Sequence, residues 1–170
     1  MAPFNSSIRY GCRRVSWDVV LLRFRDRAVA SFDFDDAKRI VRSADGARET
    51  ESGIAEITDS GVADIYFDGE SPEILFSVYA SSPAVTGLIY ELARELEMVV
   101  FFPLFPDGWG AAVVNEAAGQ ELPDRSWSGW QDFDDDFDPP EPVVCRSAAD
   151  LAAALAGPYG DWAEWAHRPP

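Results

Sequence analysis

The sequence has little of the chemistry on which most enzymes and metal sites depend. Its 170 residues include one histidine, His167, and two cysteines, Cys12 and Cys145. Zinc lacks its usual ligand set, and a Ser-His-Asp or Cys-His arrangement would depend on a histidine three residues from the C-terminal end. The two thiols are far apart in sequence, and we expect them to be reduced.

Long apolar runs are also missing. The longest, at residues 98–105, is interrupted by Pro103 and is too short to cross a bilayer. Residues 1–14 contain no apolar stretch of the kind found in signal peptides. These observations predict a cytoplasmic protein that does not bind membranes.

Basic residues are scarce, and Lys38 is the only lysine. Thirty acidic residues against fourteen basic ones give a formal net charge of −16 and a pI of about 4.2. Such a charge repels nucleic acids and anionic membranes, because phosphate contacts require lysine and arginine. It attracts basic proteins and accelerates their association. We therefore expect no direct nucleic-acid binding and a protein partner with a basic surface.

Catalytic and cofactor-binding motifs are absent from the sequence. It contains no GxSxG, no Walker A and no GxGxxG motif. Asp132, Asp134 and Asp136 occupy positions 1, 3 and 5 of an EF-hand loop. Position 6 is then Phe137 instead of glycine, and position 12 is Val143 instead of glutamate. Moving the start of the loop by two residues again leaves position 6 without glycine and position 12 without glutamate. We predict no cofactor, no metal, no catalytic residue and no enzymatic activity, although paired carboxylates of a hydrolase have no fixed spacing and stay open as an alternative.

The pattern of apolar residues predicts an α+β fold in a single domain over residues 1–170. Strands are expected at 14–24, 54–58, 62–68, 73–80, 98–103 and 108–116, which form a mainly antiparallel sheet of about five or six strands. Two principal helices, at 33–45 and 83–97, pack on this sheet. A C-terminal helical segment begins at Ser147, and Gly157–Pro158 is expected to end its first helix before a short second one.

An acidic loop rich in proline and aromatic residues is predicted at about 123–143. Its centre, SWSGWQDFDDDFDPPEP at residues 126–142, holds six acids and four aromatic residues without any lysine or arginine. One interpretation is a solvated surface loop whose rings pack on the domain. A second is an interaction segment, in which aromatic residues provide affinity and the acids face a basic cleft, in place of a phosphate backbone. The third is metal binding or other chemistry.

A second group of acids surrounds a tyrosine in the strand predicted at 62–68. Strict alternation there places Asp64, Tyr66 and Asp68 on the outer face of the sheet. Together the two regions give the predicted partner-binding residues, which are Asp64, Tyr66, Asp68, Trp127, Trp130, Asp132, Asp134, Asp135, Asp136 and Phe137.

Three stretches of the sequence carry a resemblance to a known class of proteins. SWDVVLLRF near the start, the helix and strand PAVTGLIYELARELEMVVFFP, and the late SAADLAAAL helix resemble small acidic immunity proteins of bacterial polymorphic-toxin and contact-delivered effector systems. The resemblance covers the general layout of residues 15–156. It implies a non-enzymatic inhibitor that covers the basic active-site cleft of one cognate toxin, with a nuclease or nucleic-acid deaminase as the expected target. A phage-type inhibitor that mimics nucleic acid, a scaffold protein and a carboxylate-dependent hydrolase are the alternatives.

Overall fold

The structure is a computed structural model that describes residues 16–49, 55–57, 63–132 and 137–167. Within these ranges the chain forms one open sheet of nine strands. The strands are β1 (Trp17–Arg25), β2 (Ala28–Ala30), β3 (Ala47–Glu49), β4 (Ala55–Ile57), β5 (Ala63–Tyr66), β6 (Glu73–Val78), β7 (Met98–Pro103), β8 (Trp109–Val113) and β9 (Val143–Val144). Eight of them follow the order β3-β4-β5-β6-β1-β7-β8-β9, and the short β2 pairs with the end of β1.

The sheet is antiparallel except at one edge. Every pair from β3 to β8 is antiparallel, and only β9 joins β8 in parallel. The α+β class and the mainly antiparallel sheet are therefore confirmed. The sheet has more strands than five or six because β2, β3 and β9 are two or three residues long, too short for periodicity to predict.

β1 is the central strand, and its continuous apolar sequence follows from burial on both faces. Val19 and Leu21 face one core, whereas Val20, Leu22 and Phe24 face another. We call the first side of the sheet the helix face and the opposite side the second face.

Three of the four helices in the described ranges supply the core of the helix face. The four are α1 (Phe34–Ser43), α2 (Pro83–Glu95), α3 (Glu116–Glu121) and α4 (Ala148–Ala166). The predicted caps form at α1, α2 and α4, where Asp33, Ser82 and Ser147 each accept a backbone N–H from the first turn. Residues of α1, α2 and α4 pack with the sheet into one apolar cluster.

The predicted end of the C-terminal helix at Gly157–Pro158 is wrong. α4 continues through Pro158 to Ala166, although a proline inside a helix removes one backbone hydrogen bond. Aromatic packing beyond the proline stabilises the continuation: Tyr159 contacts Trp17 at a ring-centroid distance of 5.6 Å, and Trp162 is buried against Tyr159 at 5.3 Å. Tertiary contacts therefore outweigh the local helix-breaking signal.

Candidate partner-binding surface

Trp130 lies inside the protein, with 3% of its surface exposed. It belongs to a 3-10 turn at Ser128–Asp132 that packs on the second face of the sheet. Its ring lies 5.8 Å from Phe24 and 6.1 Å from Phe101, and its indole N–H donates to the backbone carbonyl of Asp124 at 2.8 Å. The apolar ring is thus packed, and the indole N–H is hydrogen-bonded, within the chain.

The neighbouring predicted contact residues, Trp127 and Phe137, are half-buried around the same ring. Trp127 meets Trp130 edge-on at 5.0 Å, and Phe137 stacks on Trp130 at 5.5 Å and also contacts Trp109. These rings complete a second core with α3 and the strands β1, β7 and β8. Trp127, Trp130 and Phe137 therefore cover the sheet, as the solvated-loop interpretation expects for the rings of the segment.

Three of the six acids of residues 126–142 lie outside the described residues. Asp134, Asp135 and Asp136 lie outside the described residues, and Asp132 is described only through its backbone at the end of the 3-10 turn. Trp130 before residues 133–136 and Phe137 after them both pack in the core of the second face. Asp138, the next residue, is exposed.

The part of the second face formed by β5, β6 and the start of β1 is polar and acidic. The strand register places Asp64 opposite Ser77, and Ser77 opposite Asp18, so these three side chains form one row across β5, β6 and β1. Asp18 is exposed, and Tyr66 is 37% exposed. We call Asp18, Asp64, Tyr66, Ser77 and Tyr79 the acidic half-face.

Two tyrosines converge on one carboxylate in the acidic half-face. Tyr79 donates its hydroxyl to Asp64 Oδ2 at 2.9 Å, and Tyr66 donates to the same oxygen at 3.3 Å. Burial raises the pKa of Tyr79, and its hydrogen bond to the Asp64 carboxylate raises it further. Tyr79 is therefore a permanent donor that fixes the orientation of Asp64.

Asp68 is not on the strand face where alternation placed it, because β5 ends at Tyr66. Its carboxylate accepts the backbone N–H groups of Glu70 at 3.0 Å and Ser71 at 2.6 Å in the β5–β6 loop. Nearby, burial raises the pKa of Glu73 at the start of β6, and the charge of Asp68 raises it further. Asp68 thus stabilises a turn at the rim of the acidic half-face.

The two predicted binding regions lie on the same face of the sheet. Directly opposite residues share a face, and the register connects Tyr66 to Leu75, Leu75 to Val20 and Val20 to Phe101. Three interstrand spacings separate Tyr66 from Phe101, a distance of about 14 Å. Phe101 in turn contacts Phe137 at 6.4 Å. The acidic half-face and the ends of the acidic segment therefore adjoin one another.

Sequence reasoning missed Asp18, Ser77 and Tyr79. One signal for Asp18 was present: it is the only charged residue among the apolar residues of WDVVLL, and it is exposed at the start of the central strand. Ser77 and Tyr79 gave no such signal, because their position depends on the pairing of β6 with both β5 and β1.

The chain matches no protein-family model, no curated protein and no solved structure. Among the described residues, no three histidine, cysteine or carboxylate side chains are grouped so as to hold a metal ion. The described helices include none with the length and apolar character needed to span a membrane. Cys145 is a buried free thiol, whose pKa is raised by burial, and Cys12 lies outside the described residues.

Proposed function

We propose that this chain is a non-enzymatic inhibitor that binds one basic protein partner through the second face of its sheet. The observation that carries the proposal is the shared face: three interstrand spacings, about 14 Å, separate Tyr66 of the acidic half-face from Phe101, which contacts Phe137 of the acidic segment. Helices cover the opposite side. A single partner surface of ordinary size spans that distance.

The partner class that fits best is a bacterial toxin with a basic active-site cleft, in particular a nuclease or nucleic-acid deaminase. The chain then acts as its immunity protein, and inhibition is steric and electrostatic. Acidic side chains accelerate the encounter, and contacts with Tyr66 and the surrounding surface slow dissociation. Trp130 has a structural role in this mechanism, because its ring is buried within the chain.

The experiment has two steps. The tagged chain is first used to capture partners from its native host at low and at high salt, with identification by mass spectrometry. A captured protein supports the proposal only if it is basic, arrests growth when expressed alone, and is neutralised by coexpression of this chain. A basic defence protein that binds nucleic acid but is not toxic would instead favour the nucleic-acid mimic.

A matched pair of variants tests which surface binds. Asp18→Asn with Asp64→Asn removes two charges from the acidic half-face, whereas Asp161→Asn with Glu164→Gln removes two charges from exposed positions of α4. We expect the first pair to weaken partner binding at least about tenfold and the second pair to leave it within about twofold. Equal effects of the two pairs would contradict the use of the second face.

A further inference from the structure

Two arginines at the end of the central strand share one carboxylate. Arg23 and Arg25 lie on the helix face of β1, because they continue the alternation of Val19 and Leu21. Nη2 of Arg23 lies 3.3 Å from Oε2 of Glu97, and Arg25 forms an ion pair with the same oxygen. Two guanidinium groups and one carboxylate leave a local excess of positive charge, in a chain whose formal net charge is −16.

The guanidinium of Arg23 has one buried donor without an acceptor. Nη1 donates to the backbone carbonyl of Ser31 at 3.3 Å and Nη2 donates to Glu97. Nε is buried, and it is the only buried side-chain nitrogen or oxygen in the described ranges that has no hydrogen-bond partner there. Buried polar groups normally have a partner, so this N–H is a donor that an oxygen of a ligand can satisfy.

Glu97 uses only part of what the two arginines offer. A guanidinium binds a carboxylate or a phosphate most favourably through two parallel N–H···O bonds, and Nε and Nη2 form one such pair of donors. Glu97 accepts from Nη2 of Arg23 but not from Nε, and its same oxygen also serves Arg25. The side chains of Arg23, Arg25 and Glu97 are 28%, 34% and 32% exposed, so solvent reaches the cluster.

We propose that Arg23 and Arg25 form a binding site for one oxyanion, a phosphate or a carboxylate group, which displaces the side chain of Glu97. Two oxygens of the ligand accept from Nε and Nη2 of Arg23, and one oxygen also accepts from Arg25. Glu97 is then the internal competitor of the ligand. The residues paired with Arg23 on the adjacent strands, Ala30 and Met98, carry no charge that would oppose an anion. The site lies on the helix face, so it does not depend on the partner surface proposed for the second face.

The test uses the full chain, with inorganic phosphate and acetate as probes and chloride at matched ionic strength as the reference. NMR follows the Nε–H resonances of the arginines during each titration. We expect an oxyanion to shift the Nε–H resonance of Arg23 downfield, with a dissociation constant on the order of millimolar. The probe that binds more tightly identifies the group that the site takes. An equal shift with chloride, or no shift with either oxyanion, would overturn the proposal.

One matched pair of variants tests the role of the internal competitor. Glu97→Gln removes the competing carboxylate and should tighten binding of the better probe about tenfold. Glu95→Gln removes the same charge from an exposed position of α2 and should leave the affinity within about twofold. Unchanged affinity in Glu97→Gln would overturn the displacement of Glu97. Equal tightening in both variants would assign the effect to net charge and overturn the site.

A second pair of variants tests the paired donors of the guanidinium. Arg23→Lys keeps the positive charge but loses the two parallel donors, so it should weaken binding of the same probe about tenfold. Arg39→Gln removes an exposed arginine that pairs with Asp36 on α1, and it should leave the affinity unchanged. Full binding by Arg23→Lys, or an equal loss in Arg39→Gln, would show attraction to charge alone and would overturn the assignment.

Discussion

Trp130 combines a buried ring with a satisfied indole N–H, and this combination makes it a stability determinant of the second core. Trp130→Ala removes contacts with Phe24, Phe101 and Phe137 and leaves a cavity. We expect the free energy of unfolding to fall by about 3–5 kcal/mol in urea denaturation. Trp165→Ala, at a partly exposed tryptophan of α4, is the control and should cost clearly less. Similar losses would contradict the structural role of Trp130.

The carboxyl group of Glu73 makes the free energy of unfolding depend on pH. Its pKa in the folded protein is raised above the ordinary value of 4.5, first by burial and then by Asp68. Between the two pKa values the folded state binds more protons than the unfolded state, so the free energy of unfolding falls as pH rises through this window. At neutral pH the charged Glu73 therefore lowers stability.

Glu73→Gln should accordingly raise the free energy of unfolding at neutral pH. Well below pH 4.5 the gain should disappear, because glutamine then replaces an uncharged glutamic acid. Urea denaturation at the two pH values measures the difference. Glu70→Gln, at an exposed position of the neighbouring β5–β6 loop, serves as the control. A gain that is the same at both pH values would show that charge is not its cause.

Individual residues could be predicted from the sequence only where local pattern decides their environment. Alternation placed Asp64 and Tyr66 on an outer face, and the structure has them there. The same reasoning could not tell which rings of residues 126–142 face the sheet, because that depends on Phe24 and Phe101, which are distant in sequence. Asp68 left its predicted face because the chain turns after Tyr66.

At the scale of elements, glycines have opposite roles in different places. Gly157 and Gly160 lie inside α4, and a Cβ added at either would meet no heavy atom within 4 Å. A Cβ at Gly110 of β8 would overlap the ring of Phe102, and one at Gly129 would overlap the ring of Trp127. The helical glycines therefore contribute only backbone flexibility, whereas the other two allow close packing of aromatic rings.

Alanine substitutions distinguish these two roles. Gly157→Ala and Gly160→Ala should each raise the free energy of unfolding by about 0.5–1 kcal/mol, because alanine has the higher helix propensity. Gly110→Ala should lower it by about 1–3 kcal/mol through overpacking against Phe102. Urea denaturation of the three variants provides the measurement. A loss of stability in the two helix variants would contradict a continuous α4 through Pro158.

The helices and long strands could be predicted from the sequence, whereas the short strands and the end of α4 could not. Capping residues and apolar periodicity marked α1 and α2 within a few residues of their ends. Packing of Tyr159 and Trp162 on the core overrode the local signal of Pro158. Pairing of β9 with β8 joins residues 31 positions apart and has no local sequence signal.

The whole molecule combines a net charge of −16 with a sheet that buries apolar side chains on both faces. Charge and composition predicted an acidic binding surface but not its geometry. The register then brings the acidic half-face beside the ends of the acidic segment, because β5, β6, β1 and β7 are adjacent strands. We therefore predict that some residues of this face attract the partner at long range, whereas others contact it directly.

Asp134, Asp135 and Asp136 provide the test of the long-range part. Charges that stay solvated at the rim of an interface act mainly on the association rate, and salt screens them beyond a distance of about 10 Å. Asp134→Asn, Asp135→Asn and Asp136→Asn together should therefore slow association with the basic partner and flatten its dependence on salt. The dissociation rate should change much less than in the double variant of Asp18 and Asp64. Stopped-flow measurements at low and high salt give both rates.

Three exposed acids on the helix side, replaced as Glu95→Gln, Asp161→Asn and Glu164→Gln, remove the same charge and form the control. Unchanged association at both salt concentrations would exclude the acidic segment as an electrostatic contact, and equal slowing in the control would assign the attraction to net charge alone.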